Sequence, residues 1–334
     1  MLGAVAAGRP EIGASLALSV VLVAMPPLRS RVLAERARTL LTRTACLTGA
    51  GIYVWLIGGH AWLLVAGVTA TAAAGALLPR VGTTAPLAVL LVGITGSGAA
   101  PAVPGLEQLA GGLWASALLL PRWGRHRLGA SMPAGSGRHR SGASMPSPVT
   151  SAPAAPATSS TSTAPAAPAS APGGWRHAAR LTVLTGAVSS LLTLGGLLGG
   201  EMHWLVTSVL QTTRPTARAT RLKGARRVLG NTLGGVAAAV LLLLRPGPVT
   251  VAVVIGLVGA AGYAWAPVDS LSWSLASPLL MLPLADFARH VPWYAAGIRA
   301  GLSVLGAVLA LLAARLLWPV PEPPVPEPPA PGRR

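Results

Sequence analysis

The sequence predicts an all-α fold: a polytopic transmembrane helical bundle of two parallel pseudo-repeats, about 11 spans in all, joined by a disordered linker. Three observations lead there. Apolar residues make up 52% of the 334 positions and charged residues 10%, with long tracts free of charge at Leu181–Gly200, Val228–Leu244 and Pro246–Val268. A helix rises about 1.5 Å per residue, so roughly 20 such residues cross a bilayer core, and a soluble fold built from these tracts would have too little polar surface to coat it. Arginine clusters recur between the apolar stretches. Finally, the middle of the chain changes composition, and the layout on either side of it repeats.

The first half, residues 1–122, gives five spans at about Ile12–Met25, Thr42–Ile57, Ala61–Leu78, Thr84–Gly98 and Leu106–Leu120. The second, residues 176–318, gives six: Arg180–Gly199, Met202–Thr212, Val228–Leu244, Val249–Ala266, Leu271–Leu284 and Trp293–Leu317. Ile12–Met25 and Met202–Thr212 are short enough to be re-entrant or tilted half-helices. Residues 1–26 lack a small-x-small cleavage site and read as a retained short helix. Cys46, the single cysteine, reads as a small buried side chain.

The net charge is +18, but few aromatic residues accompany the basic clusters, so they do not read as a nucleic-acid surface. They read as topology signals, because cytoplasmic loops carry the excess of Arg and Lys. Placing the Leu28–Arg43 loop inside puts Arg80, the linker, the Arg214–Arg227 loop and the C-terminus inside as well. Of the 26 basic residues only Arg9, Arg245, Arg289 and Arg299 then fall toward the outside. The N-terminus is expected outside. Trp62, Trp123, Trp204, Trp293 and Trp318 sit near span ends, as interfacial rings do.

Residues 123–175 are rich in Ser, Pro, Ala, Gly and Thr and hold two near-identical blocks, GRHRLGASMPAGS and GRHRSGASMPSPV. Such a segment cannot recover the entropy cost of ordering and is expected to be a flexible cytoplasmic linker. Residues 319–334 form a Pro-rich cytoplasmic tail. Around the linker, the run from Arg38 through Gly51 parallels the run from Arg226 through Gly235. Both repeats run the same way across the membrane, so the symmetry is parallel. The first half has no counterpart of Arg180–Gly199; its leading helix is expected to be truly absent or to lie upstream.

The stretch His203-Trp-Leu-Val-Thr-Ser-Val-Leu-Gln-Thr-Thr-Arg-Pro215, followed by Ala219 through Gly235, resembles the fusaric acid resistance protein family, which includes aromatic acid exporters. The family pattern is a Trp-led short helix, a basic loop, then Arg-x-x-Gly-Thr-x-x-Gly. Arg227, Gly230 and Gly234 match it, and Asn231 stands where the family usually has Thr. The first half is similar more loosely, through its layout and the Gly105–Trp114 segment. The resemblance covers about 12–120 and 176–318 and implies membrane efflux of aromatic and other organic acids. Some relatives carry a folded cytoplasmic domain that this linker does not resemble. If pumping needs one, a partner must supply it.

Candidate substrate-path or gating residues follow. Arg299 is the foremost, because ionisable groups within a span are costly and mark pathways. Arg227 closes the basic loop and reads either as attracting an organic anion or as a snorkelling anchor; Arg218, Arg221, Lys223 and Arg226 share that ambiguity. Gly230 and Gly234 form a small-xxx-small step for packing or gating. Asn231 and Thr232 are polar at shallow depth, for substrate contact or for bonding another helix. Glu201 and His203 open a span at its outer end, where His203 reads as a proton relay or as an interfacial residue. Glu107 opens the fifth span, and Asp286 lies near the outer start of the last.

No phosphate-binding G-x-x-x-x-G-K-[ST], no H-E-x-x-H and no zinc spacing is present, so neither an enzyme nor a cofactor is expected. The reading is a secondary, non-ATP efflux transporter for small organic or aromatic acids in a bacterial inner membrane. A non-transporting membrane scaffold or envelope assembly protein and a channel are the alternatives. The partners implied are membrane lipids, a small organic anion and protons. A second copy of the chain or an accessory membrane-fusion protein stays open, and nucleic acid is excluded.

Overall fold

The computed structural model describes residues 10–24, 32–78, 81–95, 105–120, 174–198, 201–244, 247–265, 270–286 and 292–318. Of the linker expected at 123–175, residues 123–173 lie outside the described residues, as does the tail at 319–334. Among the described residues there are eleven helices and no strand. In the first half these are α1 (Pro10–Ala24), α2 (Leu33–Ile57), α3 (Ala61–Leu77), α4 (Thr84–Thr95) and α5 (Leu106–Leu119). The second half holds α6 (Gly174–Leu194), α7 (His203–Thr212), α8 (Ala217–Leu243), α9 (Pro248–Trp265), α10 (Ser270–Asp286) and α11 (Ala295–Leu316).

Two helices begin well before their apolar stretch. α2 starts at Leu33 rather than Thr42, and α8 at Ala217 rather than Val228. Residues 33–43 and 217–227, expected as loop, are therefore helical. Charge marks where a chain leaves hydrocarbon, but arginine is a good helix former and does not end a helix. The start of α8 is set instead by Pro215 and by Thr216, whose side chain accepts from the Ala219 amide at 3.2 Å. α2 stops where Gly58 and Gly59 take φ of 56° and 82°, which side chains with a Cβ resist. α6 begins at Gly174, inside the segment expected to be linker.

Three helices, α2, α8 and α11, are both long and apolar enough to cross a membrane. Their 25, 27 and 22 residues span roughly 33–40 Å. α7, with 10 residues, covers only about 15 Å, and eight of those ten are buried. It is a half-length helix enclosed by its neighbours. Outward faces are apolar: on α8 Leu229, Leu233, Val236, Val240 and Leu243 are exposed in a row at helical spacing, and α11 shows Val304, Leu305, Val308, Leu312 and Leu316. Such stripes would drive aggregation in water and are at home against lipid tails. The protein is a helical membrane protein.

α1 packs on α5, α2 on α4 and α5, and α3 on α4. In the second half α7 packs on α11, α8 on α10 and α11, and α9 on α10. α6 joins the two, lying on α3 and on α7. One apolar cluster runs through both halves, from Leu22, Leu47 and Leu90 to Val188, Val209 and Leu302. Glycine sets the closest crossings. A Cβ on Gly111 would lie 2.6 Å from Ser19 Cβ, and one on Gly306 would lie 2.6 Å from Ser208 Cβ. On Gly234 it would fall 2.1 Å from the Leu275 carbonyl oxygen, and on Gly230 2.5 Å from Ser274 Cβ. The Gly230–Gly234 step is thus where α10 is seated on α8.

Several arginines are buried, where positive-inside anchors would reach out to water. Arg36 donates to the Leu119 carbonyl at 3.2 Å and Arg43 to the Val23 carbonyl at 2.9 Å, at the ends of α5 and α1. Arg180, fully buried, donates to the carbonyls of Leu317 (3.1 Å), Trp318 (2.9 Å), Pro215 (3.2 Å) and Arg214 (3.4 Å). The last carbonyls of a helix have no partner within it and carry the negative end of its dipole. A buried guanidinium, with five donors, meets that need across several chain segments at once.

Candidate functional site

The second bundle encloses a polar pocket lined by Trp204 of α7, Arg227, Asn231 and Gly235 of α8, Ser277, Pro278 and Met281 of α10, and Ala296, Arg299 and Ser303 of α11. Helical spacing assembles it. Arg227, Asn231 and Gly235 stand at i, i+4 and i+8 on the face of α8 turned inward, and Arg299 and Ser303 at i and i+4 on α11. Gly235 and Ala296 keep the two backbones close: a Cβ on Gly235 would meet Ala296 Cβ at 3.8 Å.

Arg299 is 7% exposed. Its Nε donates to Glu201 Oε2 at 3.1 Å, and its guanidinium carbon lies 4.2 Å from the centre of the Trp204 ring. The carboxylate offsets its charge, and the indole face adds a cation–π attraction of up to about 2 kcal/mol when desolvated. Arg227, 4% exposed, donates Nη1 to Gln211 Oε1 near the end of α7. Asn231 donates Nδ2 to Ser303 Oγ at 2.7 Å, and Ser303 in turn donates to the Arg299 carbonyl at 2.8 Å.

Four buried polar atoms of this lining have no hydrogen-bond partner among the described residues: Arg299 Nη1, Arg227 Nε, Trp204 Nε1 and Asn231 Oδ1. Three are N–H donors. An unmet buried donor costs about 1–3 kcal/mol, and more when charged, so these atoms would gain from an acceptor. What fits donors of two guanidiniums and an indole is an anion with oxygen acceptors, a carboxylate above all. The free space is ≈20 Å³, room for about one water. In this conformation the pocket is closed to any organic acid.

The structure gathers four of the sequence candidates here: Arg299, Arg227, Asn231 and Glu201. Arg299 lies one turn into α11, nearer its start than its span reading gave. Arg227 is not a snorkelling anchor. It sits about 15 Å along α8 from its first residue and points inward. His203 is buried with its ring 4.8 Å from that of Trp204. Thr232 is exposed on the outer side of α8 and donates to the Val228 carbonyl of its own helix at 2.9 Å, away from this pocket. Glu107 is half-buried at the start of α5, in the first bundle. Asp286 ends α10, and its side chain lies outside the described residues. The pocket lies within the second half rather than between the halves.

Sequence reasoning missed Trp204, Gln211, Ser303 and the α10 wall. Trp204 passed for an interfacial anchor. The signal was there in the polar pairs Arg227/Asn231 and Arg299/Ser303, each at i, i+4 on an otherwise apolar helix.

Residues 183–313, from within α6 to near the end of α11, match a protein-family model described as fusaric acid resistance protein-like. The second half is similar to that family. Every residue that lines the pocket falls inside the matched stretch, as does Glu201. No curated protein and no solved structure matches the chain. That similarity suggests membrane transport or resistance as a broad function. Among the described residues no group of three His, Cys, Asp or Glu side chains could hold a metal ion.

Proposed function

We propose that this protein exports small organic acids, aromatic ones included, by secondary transport across a bacterial inner membrane. The Trp204–Arg227–Asn231–Arg299 pocket holds the substrate carboxylate. The observation that carries the reading is the convergence of three unpaired N–H donors from two guanidiniums and an indole on one buried pocket. The Trp204 ring, already stacked on Arg299, offers an aromatic acid a flat partner. The two bundles are read as parallel pseudo-repeats, supported by the recurring order in which their helices pack. The exposed Arg218, Arg221 and Arg226 at the start of α8 mark the cytoplasmic side and raise the local concentration of anions there. On this register the linker and C-terminus are cytoplasmic and the N-terminus is outside. Because the pocket is closed, the cycle includes an open state in which α10 or α11 moves off α8.

The test is accumulation of radiolabelled aromatic acid by energised inside-out vesicles. Vesicles containing the chain are expected to concentrate it, and Arg299→Gln together with Arg227→Gln to reduce uptake to background with the protein still inserted. Uptake that persists unchanged after the proton gradient is collapsed would point to a channel. A second reading, a membrane scaffold whose polar core is purely structural, is favoured by the pocket's room for only about one water. It predicts no accumulation for any acid and co-purifying envelope proteins instead.

A further inference from the structure

We propose that Glu201 is a specificity-determining residue that restricts the pocket to monoanions; the inference rests on the anion-pocket reading above. The argument is a count of charge. Two lining residues are cationic, Arg227 and Arg299, and the rest are neutral: Trp204, Asn231 and Ser303 with the α10 and alanine–glycine walls. Glu201 is the carboxylate that the structure places on Arg299, at 3.1 Å. The pocket with its counter-ion thus carries one net positive charge. A monocarboxylate brings it to neutrality inside the membrane. A dicarboxylate leaves one buried negative charge unmatched, and an unpaired buried charge is expensive.

The geometry agrees with the count. Glu201 occupies the Nε side of Arg299, whereas the unpaired Nη1 is the atom left for a ligand. The Glu201 side chain is 32% exposed and that of Arg299 9%, so the carboxylate sits at the rim and the guanidinium within. A substrate entering beside Arg227 finds one guanidinium with a built-in counter-ion and one without.

Benzoate and isophthalate differ by one carboxylate and test the inference by equilibrium binding to the purified chain in detergent micelles. The native protein is expected to hold benzoate about tenfold more tightly than isophthalate, and Glu201→Gln to reverse that order, one unmatched charge being worth at least a tenfold change. Glu201→Asp keeps the charge and is expected to keep the native order. Should Glu201→Gln fail to elute as a monodisperse species, Arg227→Gln reads the same ledger: the pocket becomes neutral, and its preference for benzoate over benzamide should vanish. If both acids bind and Glu201→Gln weakens them equally, leaving their ratio unchanged, Glu201 only props Arg299 and the inference is overturned. If native protein and variant bind neither acid, the anion-pocket reading itself falls and takes this one with it.

Discussion

In the first half, Arg43 of α2 reaches the Val23 carbonyl near the end of α1; in the second, Arg227 of α8 reaches the Gln211 side chain near the end of α7. One turn further on stand Leu47, wholly buried, and Asn231, which bonds Ser303. A turn beyond are Gly51 and Gly235, each set close against its neighbour, at Gly105 just before α5 and at Ala296 of α11. The same arginine-to-glycine spacing frames an apolar core in one bundle and a polar pocket in the other. The difference teaches how to sort buried arginines. Arg36, Arg43 and Arg180 hold backbone carbonyls at helix ends and fasten the fold. Arg227 and Arg299 hold side chains, Gln211 and Glu201, around a pocket.

The most damaging way to break the comparison is Arg180→Gln. One guanidinium there serves four carbonyls drawn from the turn before α8 and the end of α11, and glutamine cannot reach them all. Each buried carbonyl left unmet costs about 1–3 kcal/mol, so the loss should reach several kcal/mol and abolish a monodisperse elution peak in detergent. Arg227→Gln removes an equally buried charge but only one bond, to a side chain able to repack. It should elute normally. If the two variants behave alike, the distinction between fastening and functional arginines fails.

A subtler break exchanges the middle residue of the frame. Leu47→Asn puts an amide into a core with no pocket to open onto and should lower stability by about 1–3 kcal/mol, read as an earlier thermal unfolding midpoint in detergent. Asn231→Leu should cost less, because it removes a polar atom that already lacks a partner, Oδ1, while it frees Ser303 Oγ, whose own hydroxyl still bonds the Arg299 carbonyl. Its effect belongs to transport, which should fall well before stability does. Equal stability losses at the two positions would mean that the two bundles tolerate polarity alike.

Much of the fold could be read in advance, and the errors share a cause. Apolar runs located the eleven helices of the described residues to within a few residues wherever a turn or a glycine closed them, as at Gly58–Gly59. They failed at the starts of α2 and α8, because charge was taken as the end of a helix when it marks only a change of depth. The site was half legible. Arg299, Arg227, Asn231 and Glu201 stood out as charges or amides in apolar surroundings, but sequence spacing cannot show that Glu201 and Arg299, nearly a hundred residues apart, meet across α7 and α11. Nor could it separate Asn231 from Thr232. Adjacent helical positions point about 100° apart, and which one faced inward depended on where α10 and α11 lay.

That last pair gives the smallest predicted effect and the sharpest control. Thr232 lies beside Asn231 in the family-matched stretch, yet it faces outward and satisfies its hydroxyl on the Val228 carbonyl of the same helix. Thr232→Val keeps the shape, removes a hydroxyl from a lipid-facing surface and leaves every pocket contact in place. Stability should move by no more than about 0.5 kcal/mol, and transport not at all, in the same vesicle assay that Asn231→Leu impairs. Loss of transport in Thr232→Val would mean that the outer face of α8 meets the substrate or a partner during the cycle, and the pocket on its inner face would no longer account for function alone.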